Sequence, residues 1–317
     1  MEPANSIEND LHKKIIKLMG NRFEITVVHS DKSFADECIA AAINEISRIE
    51  QLLTTFKDSS QTNQINAMAG LKPVQVDREV FDLIARSKKI SQLTQGAFDL
   101  SYGSIDKSFW NFDTTMTSLP DAQKAKNAVR LINYNNIILD EENTSVFLKE
   151  KGMRIGFGGI GKGYAADKAR QVLINKGITK GVVNAAGDLV TIGTQANGHP
   201  WTVGIADPDT KYQPFSQLAI SNKAVATSGN YEKFVIIGGK KYSHTIDPKT
   251  GFPVSGIKSV TIISQSAELA DAMTTPVMVM GIKAGLHMIN QLNQLACIII
   301  DDNNIVYTSN NVKITDI

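Results

Sequence analysis

The stretch GFGGIGKGYAAD, residues 156–167, sets five glycines and a lysine within eight positions. Glycines let a backbone approach a ligand closely and leave N–H and carbonyl groups uncovered. Lys162 adds a cation where a helix is predicted to begin, and a helix N-terminus favours an anion. A phosphate group would suit such a place. The stretch fits neither familiar phosphate loop in full. Gly156, Gly158 and Gly161 satisfy the dinucleotide pattern G-x-G-x-x-G, but no carboxylate lies between Asn175 and Ala186 to take a ribose, and Asp188 comes late. Gly156, Gly161 and Lys162 satisfy the P-loop pattern up to its last letter, a hydroxyl that binds magnesium, where Gly163 stands. A glycine-rich turn packed on a sheet, with Lys162 in solvent, accounts for the stretch equally well.

Three later segments carry further polar groups. ATSGNYEKF (226–234) joins the hydroxyls of Thr227 and Ser228 to Gly229 and an aromatic ring at the end of a predicted strand. YSHTIDPKTG (242–251) places His244 and Asp247 three apart, before an Asp-Pro turn closed by Gly251. Histidine is the side chain best suited to moving protons near neutral pH. AELADAMTTPVMVMG (267–281) carries Asp271 and Thr275 four apart, on one face of a predicted helix. A carboxylate beside a hydroxyl, with a backbone carbonyl from elsewhere, suits a hard cation such as Mg²⁺. Each segment also has a plainer reading: a hairpin turn, a structural histidine, and an ion pair with Thr275 bonded back onto its own helix.

The elements that must position these residues follow from periodicity. RFEITVV (22–28) alternates as a strand. From Ser33 a helix is predicted, with Asp36 as the far half of a capping box, and Ile39, Ile43, Ile46, Ile49 and Leu53 form its apolar stripe. Further helices are predicted from Asp77 to Leu93, over 120–130, from Gly163 to Lys176, from Ser266 to Met280 and over 283–292. NIILD and TSVFLK read as a hairpin, 181–264 as mostly strand and turn, and ACIIID and IVYTS as final strands. Helices interleave with antiparallel hairpins and no regular β-α-β rhythm emerges. The fold class predicted is α+β, a single unit with a mostly antiparallel sheet and packed helices over 21–317, after an extension over 1–20.

The chain has 317 residues, 42% of them apolar, enough for a substantial core. Thirty-three basic and 32 acidic side chains leave a formal charge of +1, which gives no electrostatic reason to expect a nucleic-acid partner. Cys38 and Cys297, with no metal spacing, read as buried free thiols. No apolar run is long enough to span a membrane. The polar start MEPANSIENDLHKK lacks an export signal, so either the protein is cytosolic or that signal has been removed.

Taken in order, these segments resemble the ApbE family, the FAD:protein FMN transferases. LMGNRFEITVV, EISRIEQLLTTFKDSSQTNQIN, LTQGAFDLSYG, GGIGKGYAAD, VNAAGDL, WTVGIADP, VATSGNYEKF, YSHTIDPKTGFPV and ADAMTTPVMVMG carry the resemblance over most of the chain. It implies that Met19, Ala97, Phe98 and Asp99 bind the flavin nucleotide, that Lys162 grips the diphosphate, and that Thr227, Ser228 and Gly229 line the same pocket. It places magnesium on Asp271, Thr275 and the carbonyl of Gly159, and sets His244 and Asp247 at the reacting end, with His244 as general base. The reaction implied moves FMN from FAD to a threonine of an acceptor flavoprotein and releases AMP. FAD diphosphatase activity shares these residues; flavin binding without turnover would be favoured by loss of Asp271 or Thr275, and both are present; a nicotinamide oxidoreductase is disfavoured by the missing ribose acid. Members of the family often work on the outer face of the bacterial inner membrane, so the resemblance implies a cell-envelope location, with a cytoplasmic one as the alternative. Three departures stand out: Gly156 replaces an acid at the head of the glycine loop, Asn21 a threonine and Ala186 a glycine.

Overall fold

A computed structural model describes residues 10–106, 118–206, 214–229 and 234–312. Residues 230–233 of the ATSGNYEKF segment and the last two residues of WTVGIADP lie outside these, as do residues 1–9 of the predicted extension. The remainder of that extension is structured. β1 (Leu11–Leu18) pairs antiparallel with β2 (Asn21–Val28) as a hairpin. Its two-residue turn, Met19 and Gly20, has φ of 50° and 73°. Positive φ at both central positions matches the twist of a tight hairpin, at some cost for the non-glycine Met19.

α1 (Lys32–Leu53) follows, and its predicted stripe packs inward through Ile39, Ile46, Ile49 and Leu53. The predicted capping box is not formed. Asp31 caps the helix, accepting from the N–H groups of Ser33 and Phe34, while Asp36 pairs with Lys32 one turn back. Then come α2 (Gln61–Ala67), β3 (Val74–Gln75), α3 (Arg78–Leu93), α4 (Ala122–Ala128), and the hairpin of β4 (Ile137–Asp140) and β5 (Ser145–Leu148). The glycine-rich stretch leads into α5 (Gly161–Asn175), which ends at Gly177 with φ of 96°.

The second half supplies β6 (Gly181–Ala185), β7 (Asp188–Ile192), β8 (Trp201–Ala206), β9 (Pro214–Ile220), β10 (Ala224–Gly229), β11 (Phe234–Ile237), β12 (Lys240–Ser243) and β13 (Ile257–Ser264). α6 (Ala267–Ile289), β14 (Ala296–Asp301) and β15 (Val306–Thr308) complete it. α6 is interrupted at Gly281, whose φ and ψ are 80° and 171°, so the two predicted helices are one span with a break.

The main sheet runs β1-β2-β6-β7-β10-β13-β14-β15, and every described pairing in it is antiparallel. That arrangement is the α+β class predicted, and it rules out a doubly wound nucleotide fold. α1, α5 and α6 share one core with the sheet, where Phe23, Ile25, Val183, Val190, Val260 and Ile262 are buried among Ile46, Ala165, Ala169, Met273 and Val277. The β8–β9 hairpin is associated with a second apolar cluster, in which Trp201 and Val203 pack with Leu189, Ile220 and Val225. Cys38 and Cys297 are buried free thiols. Among the described residues no helix is long and apolar enough to cross a membrane.

Candidate functional site

The approach to α5 is fixed from below by a side chain on α2. Asn66 donates to the carbonyl of Ile155 at 3.1 Å and accepts its N–H at 2.7 Å, a buried clamp on the backbone that enters the glycine-rich stretch. The N–H of Gly156 then donates to the carbonyl of Leu100 at 3.1 Å. At the helix start, a Cβ built on Gly163 would lie 2.1 Å from the carbonyl oxygen of Ala267 and 2.8 Å from Cβ of Asp271. Glycine at 163 is therefore what lets α5 and α6 touch. A hydroxyl residue, as a P-loop requires, has no room.

That contact puts an acid at the N-terminus of α5. The N–H of Gly163 donates to Oδ2 of Asp271 at 3.1 Å, and Lys162 Nζ lies 3.5 Å from both oxygens of the same carboxylate. Lys162 Nζ also lies 2.9 Å from Oδ2 of Asp188, the first residue of β7, although the angles there fall short of a hydrogen bond. Asp188 and Asp271 are each only 4% exposed. Burial works against the Lys162 ammonium, but Asp271 and Asp188 outweigh it and hold its pKa above the usual lysine value. For Asp188, burial and the charge of Asp271 raise the pKa, against the opposing pull of Lys162 and of the Thr227 N–H. Two acids share one lysine.

The remaining predicted groups fall around this cluster. A Cβ on Gly159 would sit 3.6 Å from the Phe98 ring and 4.0 Å from Oγ1 of Thr275, so the glycine stretch, the AFD segment and α6 meet there. A Cβ on Gly161 would lie 3.6 Å from the methyl of Met19, which the hairpin turn carries over the helix start. Ser228 on β10 donates to Oγ1 of Thr274 at 2.7 Å, and Thr274 donates to the carbonyl of Asp271 at 2.8 Å. Thr274, not Thr275, thus bonds back onto the helix. Pro276 follows and supplies no N–H to the carbonyl four residues before it. Thr227 turns its hydroxyl to Thr261 at 2.9 Å. Gly229 ends β10.

The AFD segment also meets the 244–251 turn. Lys249 Cε lies 4.0 Å from a Cβ built on Gly96, and the N–H of Ile246 donates to the Tyr102 hydroxyl at 3.3 Å. His244 is exposed on this turn. Asp247 uses its carboxylate locally, accepting from the N–H of Lys249 at 2.8 Å and from Oγ1 of Thr250 at 2.9 Å. Asp99 is likewise committed. Buried beside Ala97 and Phe98, it accepts from the N–H and hydroxyl of Ser101 and from the N–H of Tyr134. Burial raises the pKa of Asp99, and these three donors oppose the rise.

Chemically, the cluster brings the Asp271 and Asp188 carboxylates to an ammonium and a helix N-terminus, with the Thr275 hydroxyl near the Gly159 backbone. Such a donor set fits a small divalent cation and a polyphosphate. No group of three or more His, Cys, Asp or Glu arranged to hold a metal occurs among the described residues, so a cation here would draw on neutral oxygens as well as acids. Asp188 is the residue that sequence reasoning set aside, having weighed it only as a ribose acid. The available signal was one charged residue opening a strand, DLVTI, that is otherwise without charge.

The ApbE family model matches residues 19–299. An FAD:protein FMN transferase of Klebsiella pneumoniae (strain 342) is 34% identical over 271 residues, 84% of each chain. One of Treponema pallidum (strain Nichols) is 31% identical over 273 residues, covering 80% of this chain and 75% of the relative. Among solved structures, the ApbE protein of Thermotoga maritima MSB8 aligns with a TM-score of 0.83 and 30% identity, over 95% of this chain and 97% of that one. A shared fold, a family match across the residues that build the site, and relatives above 30% identity agree: this chain belongs to the ApbE family.

Proposed function

We propose that the protein transfers FMN from FAD to a threonine hydroxyl of an acceptor flavoprotein, with AMP as the leaving group. The observation that carries this reading is the meeting of Lys162, the N-terminus of α5, Asp271 and the Gly159–Thr275 corner. Those groups suit a diphosphate as the reacting bond, and relatives above 30% identity are named FAD:protein FMN transferase. Asp271, Thr275 and the Gly159 carbonyl would hold Mg²⁺, which when bound would neutralise charge on the diphosphate oxygens. Lys162 contributes a second positive centre. Met19 and Phe98 wall the flavin end, with Ala97 and Asp99 in the same segment, and Thr227, Ser228 and Gly229 form the facing strand end. His244 takes the proton from the acceptor hydroxyl as its oxygen bonds to the FMN-side phosphorus. The bond from that phosphorus to the AMP oxygen breaks, and the proton leaves with AMP or to solvent. Asp247 shapes the turn that carries His244.

The test is incubation with FAD, Mg²⁺ and a candidate acceptor, read by intact-mass spectrometry of the acceptor. Covalent FMN is expected with the wild type, almost none with Asp271→Ala, and slow labelling with retained FAD binding for His244→Ala. Release of free FMN and AMP without any labelled acceptor would instead make the protein a hydrolase.

A further inference from the structure

Lys162 has two buried counter-ions where one would balance it, and the two are held differently. Asp188 opens β7, a strand hydrogen-bonded on both sides within the eight-stranded sheet, directly after a two-residue turn of Ala186 and Gly187 with φ of 57° and 100°. Asp271 sits on α6 and takes the N–H of Gly163 as well as the lysine. Lys162 Nζ is nearer Asp188, at 2.9 Å, than Asp271, at 3.5 Å.

A divalent cation arriving at Asp271 carries the same sign of charge as Lys162, so the ammonium must give way. A buried ammonium with no counter-ion is costly, and it will hold any carboxylate that remains. We propose that Asp188 is a positioning residue: it takes over the Lys162 ammonium, so that Asp271 stays open to a divalent cation while the lysine keeps its charge beside the diphosphate. This rests on the reading of Asp271, Thr275 and Gly159 as the cation cradle. Asp188 touches neither metal nor nucleotide in this scheme and acts through Lys162.

The experiment is calorimetric titration of the full chain with MgCl₂ in the absence of FAD, for the wild type, Asp188→Asn, Lys162→Met and the double variant, each checked for a native melting transition. Asp188→Asn leaves the lysine only Asp271, and weakens Mg²⁺ binding by about tenfold. Lys162→Met removes the competing cation and tightens binding. In the Lys162→Met background the further Asp188→Asn change costs about threefold or less, because there is no lysine to redirect. An equal or larger penalty in that background overturns the proposal, since Asp188 would then act only as nearby charge. If Asp188→Asn does not fold, Lys162→Met still decides: unchanged or weaker Mg²⁺ binding overturns it. Absence of binding to the wild type takes down the cradle itself, and this inference with it, which is a different pattern from the equal-penalty result.

Discussion

Gly163 occupies the position where a P-loop would carry serine or threonine, and the reason is steric. With a carbonyl oxygen 2.1 Å from where its Cβ would stand, Gly163→Ala must push α5 from α6 and displace Asp271. We expect a loss of roughly 1–3 kcal/mol or more in urea unfolding, with weaker Mg²⁺ binding alongside. Gly156 is the opposite case. A Cβ there meets only the Thr55 methyl at 3.9 Å, so Gly156→Asp, the acid usual in the family, should leave the urea midpoint nearly unchanged while altering FAD affinity. At this scale the sequence was informative where chemistry has a short-range signature. Asp271 and Thr275 are four apart on one helix, and the spacing alone puts them together. Asp188 was not legible, because what matters about it is which buried charge lies opposite, and no local pattern encodes that. Asp99 and Asp247 show the converse: both stand in recognisable segments, yet their hydrogen bonds organise the segments themselves.

Among the elements, the short α2 reaches the approach to the site through one side chain. Its seven residues hold Asn66, which satisfies both backbone groups of Ile155. Asn66→Ala leaves a buried N–H and carbonyl unpaired and should cost about 1–3 kcal/mol, with a rise in the FAD dissociation constant as the glycine stretch loosens. Asn66→Asp keeps the acceptor and loses the donor, so its midpoint should fall between the two. Helices with a full apolar stripe, such as α1 and α3, were legible from periodicity, as was the β4–β5 hairpin. α2 is too short and too polar to show a period. β1, LHKKIIKL, has lysines that break the alternation, and it is a strand because β2 offers it an edge. The capping box after Ser33 failed for a comparable reason: Asp31, two residues earlier, already satisfies the N–H groups of Ser33 and Phe34.

For the molecule as a whole, the two thiols report on the integrity of the core. Both are buried, and burial pushes Cys297 up to about 12. Its folded pKa is higher than its unfolded one, so the stability it contributes is complete below pH of about 9 and is lost as pH rises toward 12. The urea midpoint should therefore fall between pH 9 and 11, and Cys297→Ala should flatten that slope. A thiol reagent at neutral pH should label neither cysteine until the chain unfolds, then both. The antiparallel class was readable from the absence of β-α-β rhythm, but the order of eight strands was not, since pairings such as β2 with β6 join residues far apart in sequence. That separation has an outcome for biosynthesis. The nucleotide cradle proposed above draws on position 19 and on position 275, so on that reading a ribosome-tethered chain cannot grip its substrate until nearly all of it has emerged.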